Sequence, residues 1–273
     1  MKNCKTIRLV LVLSVFLFVF APGLQGQGKF EFGFHYSKWS LNIIKGFIED
    51  ALGESMESNF RDDFLEDIQQ DYPGLTEDSY EQDVSFDSSG SNFGFEARWY
   101  PAGRHGSFSL GLSIEKTSME ISIPELSARM DMDDGSYYEA DASASFIINP
   151  LSFHLSFRWD IIPSSPIHPY LTFGLGAATG TALDEAEFSY AYSGTYYIEG
   201  GDSESYEDSE TKTLTELREE MEDEGEDFFL PGFIPFIQIN LGLKAEITDN
   251  LHLLVDAGIW NGFLLRGGIA FRF

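Results

Sequence analysis

The stretch Phe263-Leu-Leu-Arg-Gly-Gly-Ile-Ala-Phe-Arg-Phe273 decides the fold class of this 273-residue sequence. Alternate side chains of a strand point to opposite faces, so one face here is apolar and ends with Phe273. The opposite face carries Arg266 and Arg272. A transmembrane barrel strand has about 9–11 residues, with one face toward lipid and the other toward a polar lumen. The stretch therefore predicts a strand of a membrane-spanning barrel.

Seven further segments alternate in the same way. They are 29–38, 92–100, 107–116, 151–160, 170–177, 237–247 and 251–259. In 151–160, the clearest of them, every second residue is Leu, Phe or Trp and the residues between are polar or charged. The eight segments predict an all-β fold: an eight-stranded antiparallel transmembrane β-barrel with long extracellular loops, one containing an amphipathic helix.

The connections between these segments alternate in length. Short turns at 101–106, 162–168 and 248–250 alternate with long loops, while Asn261-Gly262 is a tight hairpin. The long loops are 39–91, 117–150 and 178–235. Short turns at one end and long loops at the other are typical of outer-membrane barrels, whose short turns face the periplasm. We therefore expect a bacterial outer-membrane protein with both termini in the periplasm.

Charge separates the strands from the loops. The net charge is −28, and the three long loops hold thirty-eight of the forty-five acidic residues but only five cations. So acidic a chain lacks the basic surface that nucleic acid requires, which excludes nucleic acid as a partner. The loops have the charge to attract divalent cations or a basic extracellular partner, although a solvated, repulsive surface is the simpler interpretation.

The first 26 residues have the features of a signal peptide that is cleaved on export. Lys2, Lys5 and Arg8 precede an apolar run at 9–21, and small residues follow it. Cys4, the single cysteine, lies in this segment. Residues 27–273 then form the β-barrel domain, which has no thiols for disulfides or metal binding.

The predicted lumen carries six acids and five bases, which the alternation directs inward. They are Glu31, Glu96, Arg98, Glu115, Arg158, Asp160, Lys244, Glu246, Asp256, Arg266 and Arg272. An eight-stranded barrel has room for side chains and little else, and an unpaired buried charge is costly. We therefore expect a salt-bridged, largely closed lumen, although lumen-facing glycines such as Gly94, Gly111 and Gly176 leave space for a narrow path.

Histidines offer no catalytic arrangement in this sequence. His35 and His154 point into the lumen, and no His-Ser pair lies on a lipid-accessible outer rim. His154 shares a face with Ser152 and Ser156, which fits a hydrogen-bonded lumen histidine better than a nucleophile site. We expect no enzymatic activity, no cofactor and no metal site.

The four tryptophans lie near the ends of predicted strands. Trp99 and Trp159 fall at the periplasmic end, and Trp39 and Trp260 at the extracellular end. Rings with a polar edge favour the depth of the lipid headgroups, so we expect all four at the membrane interfaces. Tyr170 is expected at the periplasmic rim for the same reason.

Two loops contain helical patterns. Between Leu41 and Ile68, apolar residues recur every three or four positions, with Ser40 as a cap and Pro73-Gly74 as a stop. This amphipathic helix is either a lid over the barrel mouth or a helix that packs on extensions of the strands. Residues 213–224 predict a short acidic helix within the acidic stretch 199–227 of the third loop, and we expect the rest of that stretch to be mobile. Residues 119–123 and 137–148 predict strand extensions in the second loop.

The sequence resembles the small outer-membrane β-barrels of the OmpA/OmpX/OmpW-like superfamily. The resemblance lies in the final residues 267–273, in 168–177 and in 95–101. It implies that Ile269, Phe271 and Phe273 form the signal read by the barrel-assembly machinery, and that outer-membrane lipids surround the strands. The resemblance indicates architecture and is weak for function.

Three functions fit these patterns. The first is a non-enzymatic, monomeric outer-membrane barrel with a structural or surface-interaction role. The alternative is a narrow channel for small or apolar solutes, gated by the first-loop helix. A soluble lipocalin-like barrel is the third, and it requires an apolar lumen and a charged exterior.

Overall fold

The computed structural model describes residues 29–61, 65, 76–103, 106–201, 203–223 and 232–273. The predicted signal peptide and the predicted stop at Pro73-Gly74 lie outside these residues. The strands in the described part are β1 (Lys29–Ser40), β2 (Glu77–Tyr100), β3 (Phe108–Met132), β4 (Tyr137–Ile148), β5 (Leu151–Asp160), β6 (Ile167–Thr179), β7 (Glu187–Tyr197), β8 (Ser203–Thr213), β9 (Phe233–Glu246), β10 (Leu251–Trp260) and β11 (Phe263–Arg272). The α-helices are α1 (Lys45–Met56), α2 (Thr181–Asp184) and α3 (Leu214–Asp223).

Eight of the strands close into a ring of antiparallel pairs. Around the ring they follow the order β1, β2, β3, β5, β6, β9, β10 and β11. The ring closes where β11 pairs with β1, with Phe34 opposite Ile269. These strands contain the eight segments whose alternation predicts strands, so the prediction of an eight-stranded antiparallel barrel is confirmed.

The two faces of the ring differ in polarity as the alternation predicts. On β5, Leu151, Phe153 and Leu155 are exposed, whereas Ser152 and His154 between them are buried. A soluble barrel has the opposite arrangement, with apolar groups inside and charges outside. The exposed apolar belt around a polar interior therefore matches a barrel surrounded by lipid.

Part of the sheet continues beyond the ring. The first part of β3 pairs with β5, and its later part, from Met119 to Asp131, pairs with β4. Strands β7 and β8 then extend the sheet from β4. We call residues 77–91, 117–132, β4, β7 and β8 the sheet extension.

The sheet extension differs in part from the sequence prediction. The predicted strand extensions at 119–123 and 137–148 are present. Residues 77–91, 187–197 and 203–213 also form strands where loops are predicted, and the last of these segments is predicted to be mobile. Strand β8 is polar on both faces, so its sequence carries no hydrophobic alternation. Pairing with β7, which the sequence of β8 does not reveal, holds it in the sheet.

The first-loop helix packs on the sheet extension. After a 3-10 turn at Asn42–Ile44, α1 runs along β2 and continues as a π-helical turn at Glu57–Arg61. The Phe86 backbone N–H donates to Glu49 Oε1 at 2.8 Å, and Gln82 Nε2 donates to the Gly53 carbonyl at 3.2 Å. Of the two arrangements that the sequence allows for this helix, the structure has the one in which it packs on strand extensions and not the lid over the barrel mouth. In the described part of the chain, no helix combines the length and apolarity needed to cross a membrane.

The acidic helix α3 occupies the residues where the sequence predicts it. The Glu216 backbone N–H donates to Thr213 Oγ1 at 3.2 Å, and the Thr213 backbone N–H donates to Glu216 Oε2 at 2.8 Å. This reciprocal pair is a capping box, which satisfies backbone donors that the first turn of a helix leaves free.

Candidate functional site

Glu31 on β1 is the centre of a buried ion-pair network in the barrel lumen. Its Oε2 lies 2.5 Å from Lys244 Nζ and 2.8 Å from Arg272 Nη2. Its Oε1 lies 3.5 Å from Arg158 Nη1 and accepts a hydrogen bond from the Tyr100 hydroxyl. The four partners come from four other strands, so one carboxylate links much of the circumference of the barrel.

Glu96 forms the next layer of the network. Its carboxylate lies 2.5 Å from Arg98 Nη2 and 3.3 Å from Arg158 Nη2. The Arg98 guanidinium also donates to Ser109 Oγ at 3.1 Å and to Ser156 Oγ at 2.7 Å. Arg158 therefore bridges Glu31 and Glu96, which joins the two layers.

Asp256 forms a separate centre between β10 and its neighbours. Arg266 Nε lies 3.0 Å from each of its carboxylate oxygens, and Asn240 Nδ2 donates to it at 2.6 Å. The Tyr170 hydroxyl also donates to Asp256. Tyr170 is therefore buried in the lumen and not at the predicted periplasmic rim, because it shares the inward alternation of Thr172.

The remaining predicted lumen acids lie at different depths. Asp160 is buried, with Arg272 Nη2 at 3.7 Å. Glu115 is buried, with His35 Nε2 at 3.3 Å from its carboxylate. Glu246 is half-buried at the end of β9, paired in register with His252. The structure thus brings ten of the eleven predicted charged residues into the lumen and places Glu246 at its edge.

Large neighbouring side chains occupy the space that two lumen glycines, Gly94 and Gly176, leave beside their backbone. A Cβ on Gly94 would collide with the His35 ring, and a Cβ on Gly176 would collide with His154. One cavity near the centre of the lumen has a volume of about 20 Å³, and its lining residues include Glu96, Arg158 and Arg266. That volume holds about one water molecule. Gly94 and Gly176 therefore make room for the rings of His35 and His154.

An apolar cluster, here called the apolar plug, fills the end of the lumen that lies away from Lys29 and Arg272. It consists of Trp39, Ala178, Phe236, Trp260 and Leu264. The Phe236 and Trp260 rings are stacked with centroids 4.6 Å apart, and Trp39 Nε1 donates to the Trp260 carbonyl at 3.2 Å. Leu41, at the start of the first loop, packs against this cluster.

The plug corrects the prediction for two of the four tryptophans. Trp39 and Trp260 are only 4% and 1% exposed, so neither ring faces the lipid headgroups at a membrane–water interface. Both share the inward alternation of the lumen residues on their strands, which composition alone does not reveal. Trp99 and Trp159 are 41% and 43% exposed on the outer face, where lipid contact is expected.

His154 is a buried, hydrogen-bonded residue beneath the plug. Its Nε2 lies 2.7 Å from Ser152 Oγ and 4.0 Å from the Glu115 carboxylate. A Ser-His-acid triad needs the acid on the other ring nitrogen and an accessible serine. Here the same nitrogen faces both groups, and Ser152 is fully buried. The cluster therefore lacks the geometry of a nucleophile site.

The acidic residues of the sheet extension lie on an open surface. A groove of about 650 Å³ crosses β3, β4, β7 and β8, with Glu125, Asp141 and Glu207 among its lining residues. Elsewhere on the extension, Arg129 pairs with Asp131 at 2.8 Å and holds the pKa of that carboxyl below its ordinary value. Among the described residues, no three His, Cys, Asp or Glu side chains are grouped closely enough to hold a metal ion.

Comparisons with solved structures find small outer-membrane β-barrels. Ail, the attachment invasion locus protein of Yersinia pestis, crystallised with sucrose octasulfate, is 10% identical at a TM-score of 0.32, covering 90% of this chain and 99% of that one. Neisserial surface protein A is 10% identical at a TM-score of 0.32, and the match covers 91% of this chain and 98% of that one. The N-terminal β-barrel domain of Pseudomonas aeruginosa OprF is 12% identical at a TM-score of 0.28, and the match covers 91% of this chain and 100% of that one. The likeness concerns the fold alone. Comparisons with family models and with curated proteins found no match.

Proposed function

We propose that this chain is a non-enzymatic outer-membrane protein whose closed barrel carries an acidic sheet extension at the cell surface. The observation that carries the proposal is the filled lumen. Ion pairs occupy its length, the apolar plug covers its extracellular end, and a cavity of about 20 Å³ remains between them. Such an interior stabilises a barrel as an anchor and leaves no route for a hydrated solute.

The outer face supports residence in the membrane with the short turns on the periplasmic side. Ile269, Phe271 and Phe273 all point outward and are about half exposed, so they are available to the barrel-assembly machinery as a C-terminal signal. In this orientation both termini are periplasmic and the sheet extension is extracellular.

The sheet extension supports a role in surface interaction. Its groove presents Glu125, Asp141 and Glu207, and the outer edge of β8 is exposed along its length. Carboxylates on an open, hydroxyl-rich sheet favour positively charged partners, either an extracellular protein or divalent cations. A chain of this kind functions as a monomer, because the repulsive surface disfavours contact with a second copy.

Planar-bilayer recording of the refolded chain tests the closed lumen. We expect no steady conductance, because a permeating ion would have to displace buried ion pairs and the apolar plug. Steady openings of porin size would contradict the proposal and favour the channel alternative, gated by the first-loop helix.

Proteolysis of intact cells tests the surface role. We expect an added protease to cut within 203–223, at the exposed edge of the sheet extension, while the barrel keeps its heat-modifiable migration on gels. Protection of this segment in intact cells, with cleavage after the outer membrane is opened, would place the extension in the periplasm and contradict the proposal.

A further inference from the structure

A lysine ends the outward apolar belt on two strands of the barrel. On β1 the outward-facing residues pass from Tyr36 to Lys38, and on β3 they pass from Ile114 to Lys116. Both lysines are exposed. Each is the first charged outward residue above the belt on its strand. Their position corresponds to the depth of lipid headgroups, where the belt ends.

Strand β2 lies between the two lysines. Lys38 is opposite Ser91 on β2, and Lys116 is opposite Phe93. Neighbouring strands are about 4.8 Å apart and two residues span about 7 Å along a strand, so the backbone positions of the two lysines are roughly 12 Å apart on a diagonal across β2. Phe93 is also the register partner of Tyr36 on β1, and the Tyr36 and Phe93 rings are in contact, with centroids 4.8 Å apart. The ammonium groups of Lys38 and Lys116 and the hydroxyl groups of Tyr36 and Ser91 therefore belong to one patch of the outer face.

The two lysines differ from the other extracellular cations in their partners. Lys45 lies 3.3 Å from Glu49, Arg61 lies 2.8 Å from Glu77, and the remaining loop cations have similar carboxylate partners. No carboxylate of the described residues lies within 4.0 Å of Lys38 or Lys116.

The contacts of the two lysines leave donors available. Lys38 Nζ lies 5.7 Å from the Tyr36 ring centroid. Lys116 Nζ donates one hydrogen bond, to the Asn149 carbonyl at 2.5 Å. An ammonium group has three donors, so both lysines can bind an anion. In a chain as acidic as this one, two cations without carboxylate partners at the membrane boundary indicate an anion from outside the chain.

We propose that Lys38, Lys116, Tyr36 and Ser91 form a binding site for the phosphate headgroup of a lipid in the surrounding leaflet. The proposal rests on the proposed function, because it requires the belt to lie in a membrane. Phosphate offers several acceptor oxygens and negative charge, which suits two ammonium groups and two hydroxyl groups. The acyl chains of the same lipid would lie on the apolar belt below, against Phe93 and Ile114.

A lipid is the occupant that this location favours over free phosphate. The site faces outward from the barrel at the boundary of the apolar belt, and it is neither enclosed nor directed into the lumen. Free phosphate there would gain only screened attraction from exposed lysines. A lipid phosphate is held at this depth by its own acyl chains, which raises its effective concentration at the site.

Retention of lipid by the full chain tests the site. The chain is refolded in phosphatidylcholine vesicles that contain a small fraction of phosphatidic acid or of a fatty acid carboxylate, then extracted in mild detergent. Bound lipid is measured by native mass spectrometry. We expect wild type to retain phosphatidic acid in preference to the carboxylate. The double variant Lys38→Gln/Lys116→Gln should bind it about 25-fold more weakly, because each lysine near a membrane surface contributes about fivefold.

Two matched variants make the result specific. Lys45→Gln removes an extracellular lysine that already has a carboxylate partner, so it should retain phosphatidic acid as wild type does. Lys38→Arg/Lys116→Arg keeps the charges and should restore most of the binding. Equal retention by wild type and the double glutamine variant would overturn the site, as would equal retention of the carboxylate lipid.

Inorganic phosphate distinguishes the two sources of the anion. Millimolar phosphate should not displace the lipid, and displacement at that concentration would overturn the assignment to lipid. Heat-modifiable migration of each variant reports the barrel separately. A folded, non-conducting barrel that retains no lipid would contradict this site while leaving the proposed function intact.

Discussion

Glu31 on β1 and Arg272 on β11 face each other across the seam that closes the barrel, with Arg272 Nη2 2.8 Å from Glu31 Oε2. The pair joins the first and last strands of the ring by a side-chain contact in addition to their backbone ladder. Because Lys244 and Arg158 share the same carboxylate, the contact that closes the ring also organises its interior.

Replacing Glu31 with Gln should strongly destabilise the barrel. The change removes the anion shared by Lys244, Arg272 and Arg158 and leaves their buried charges poorly compensated, which typically costs about 3–5 kcal/mol. Urea unfolding in detergent or vesicles measures the loss. Glu204→Gln, on the exposed edge of β8, is the matched control and should change stability by less than about 0.5 kcal/mol. Equal stability of both variants would contradict the network.

Removing a ring from the plug should destabilise the barrel without opening a steady current. Trp260→Ala leaves a cavity beside Phe236 and should cost about 3–5 kcal/mol. The ion pairs below the plug remain, so planar-bilayer recordings should show no steady conductance. Trp159→Ala, on the lipid face, leaves no internal cavity and should cost less. A steady current from Trp260→Ala would show that the plug alone closes the lumen.

Deleting the first-loop helix should not make the barrel conduct. Replacing residues 45–69 with a short Gly-Ser linker removes α1 and keeps Leu41 against the plug. We expect unchanged heat-modifiable migration and no conductance. Current that appears only in the deletion variant would favour the helix as a gate, contrary to its packing on β2.

Helix α3 should lose protection in acid. Hydrogen bonds from the Thr213 backbone and hydroxyl hold the pKa of Glu216 below its ordinary value. A carboxylate whose pKa is depressed on folding stabilises the folded helix above its unfolded pKa of about 4.3 and loses this effect as pH falls through the folded pKa. Hydrogen exchange of α3 between pH 6 and pH 3 should show the loss. The Glu216→Gln variant should show a flatter dependence, and identical profiles would contradict the capping role.

The barrel could be predicted because lipid outside and charge inside impose strict alternation on every strand of the ring. Trp39 and Trp260 show that the position of a residue in the alternation predicts its burial better than its aromatic character does. Aromatic character favours the membrane interface, whereas the alternation places both side chains on the lumen face with His35 and Asp256, where they are buried. Position in the strand pattern decides burial here, because a strand cannot turn one side chain to the other face without a bulge.

The sheet extension was harder to predict for a physical reason. Strand β8 is water-exposed on both faces, so no apolar periodicity marks it. Its order comes from backbone pairing with β7 and from contacts such as Ser189 with Thr211, at 2.9 Å between their hydroxyl oxygens. Pairing between two segments leaves little trace in a single sequence when one of the strands is polar on both faces, as β8 is.

The continuity of β2 and β3 has a mechanical consequence. The two strands stay paired from Glu77 and Met132 at the far end of the sheet extension to Trp99 and Leu110 near the opposite end of the barrel. A pull on the tip of this pair would load their backbone hydrogen bonds in shear, many at once. A pull on β8 would peel its bonds from β7 one after another. The molecule is therefore built to withstand tension along β2 and β3 and to yield first at β8.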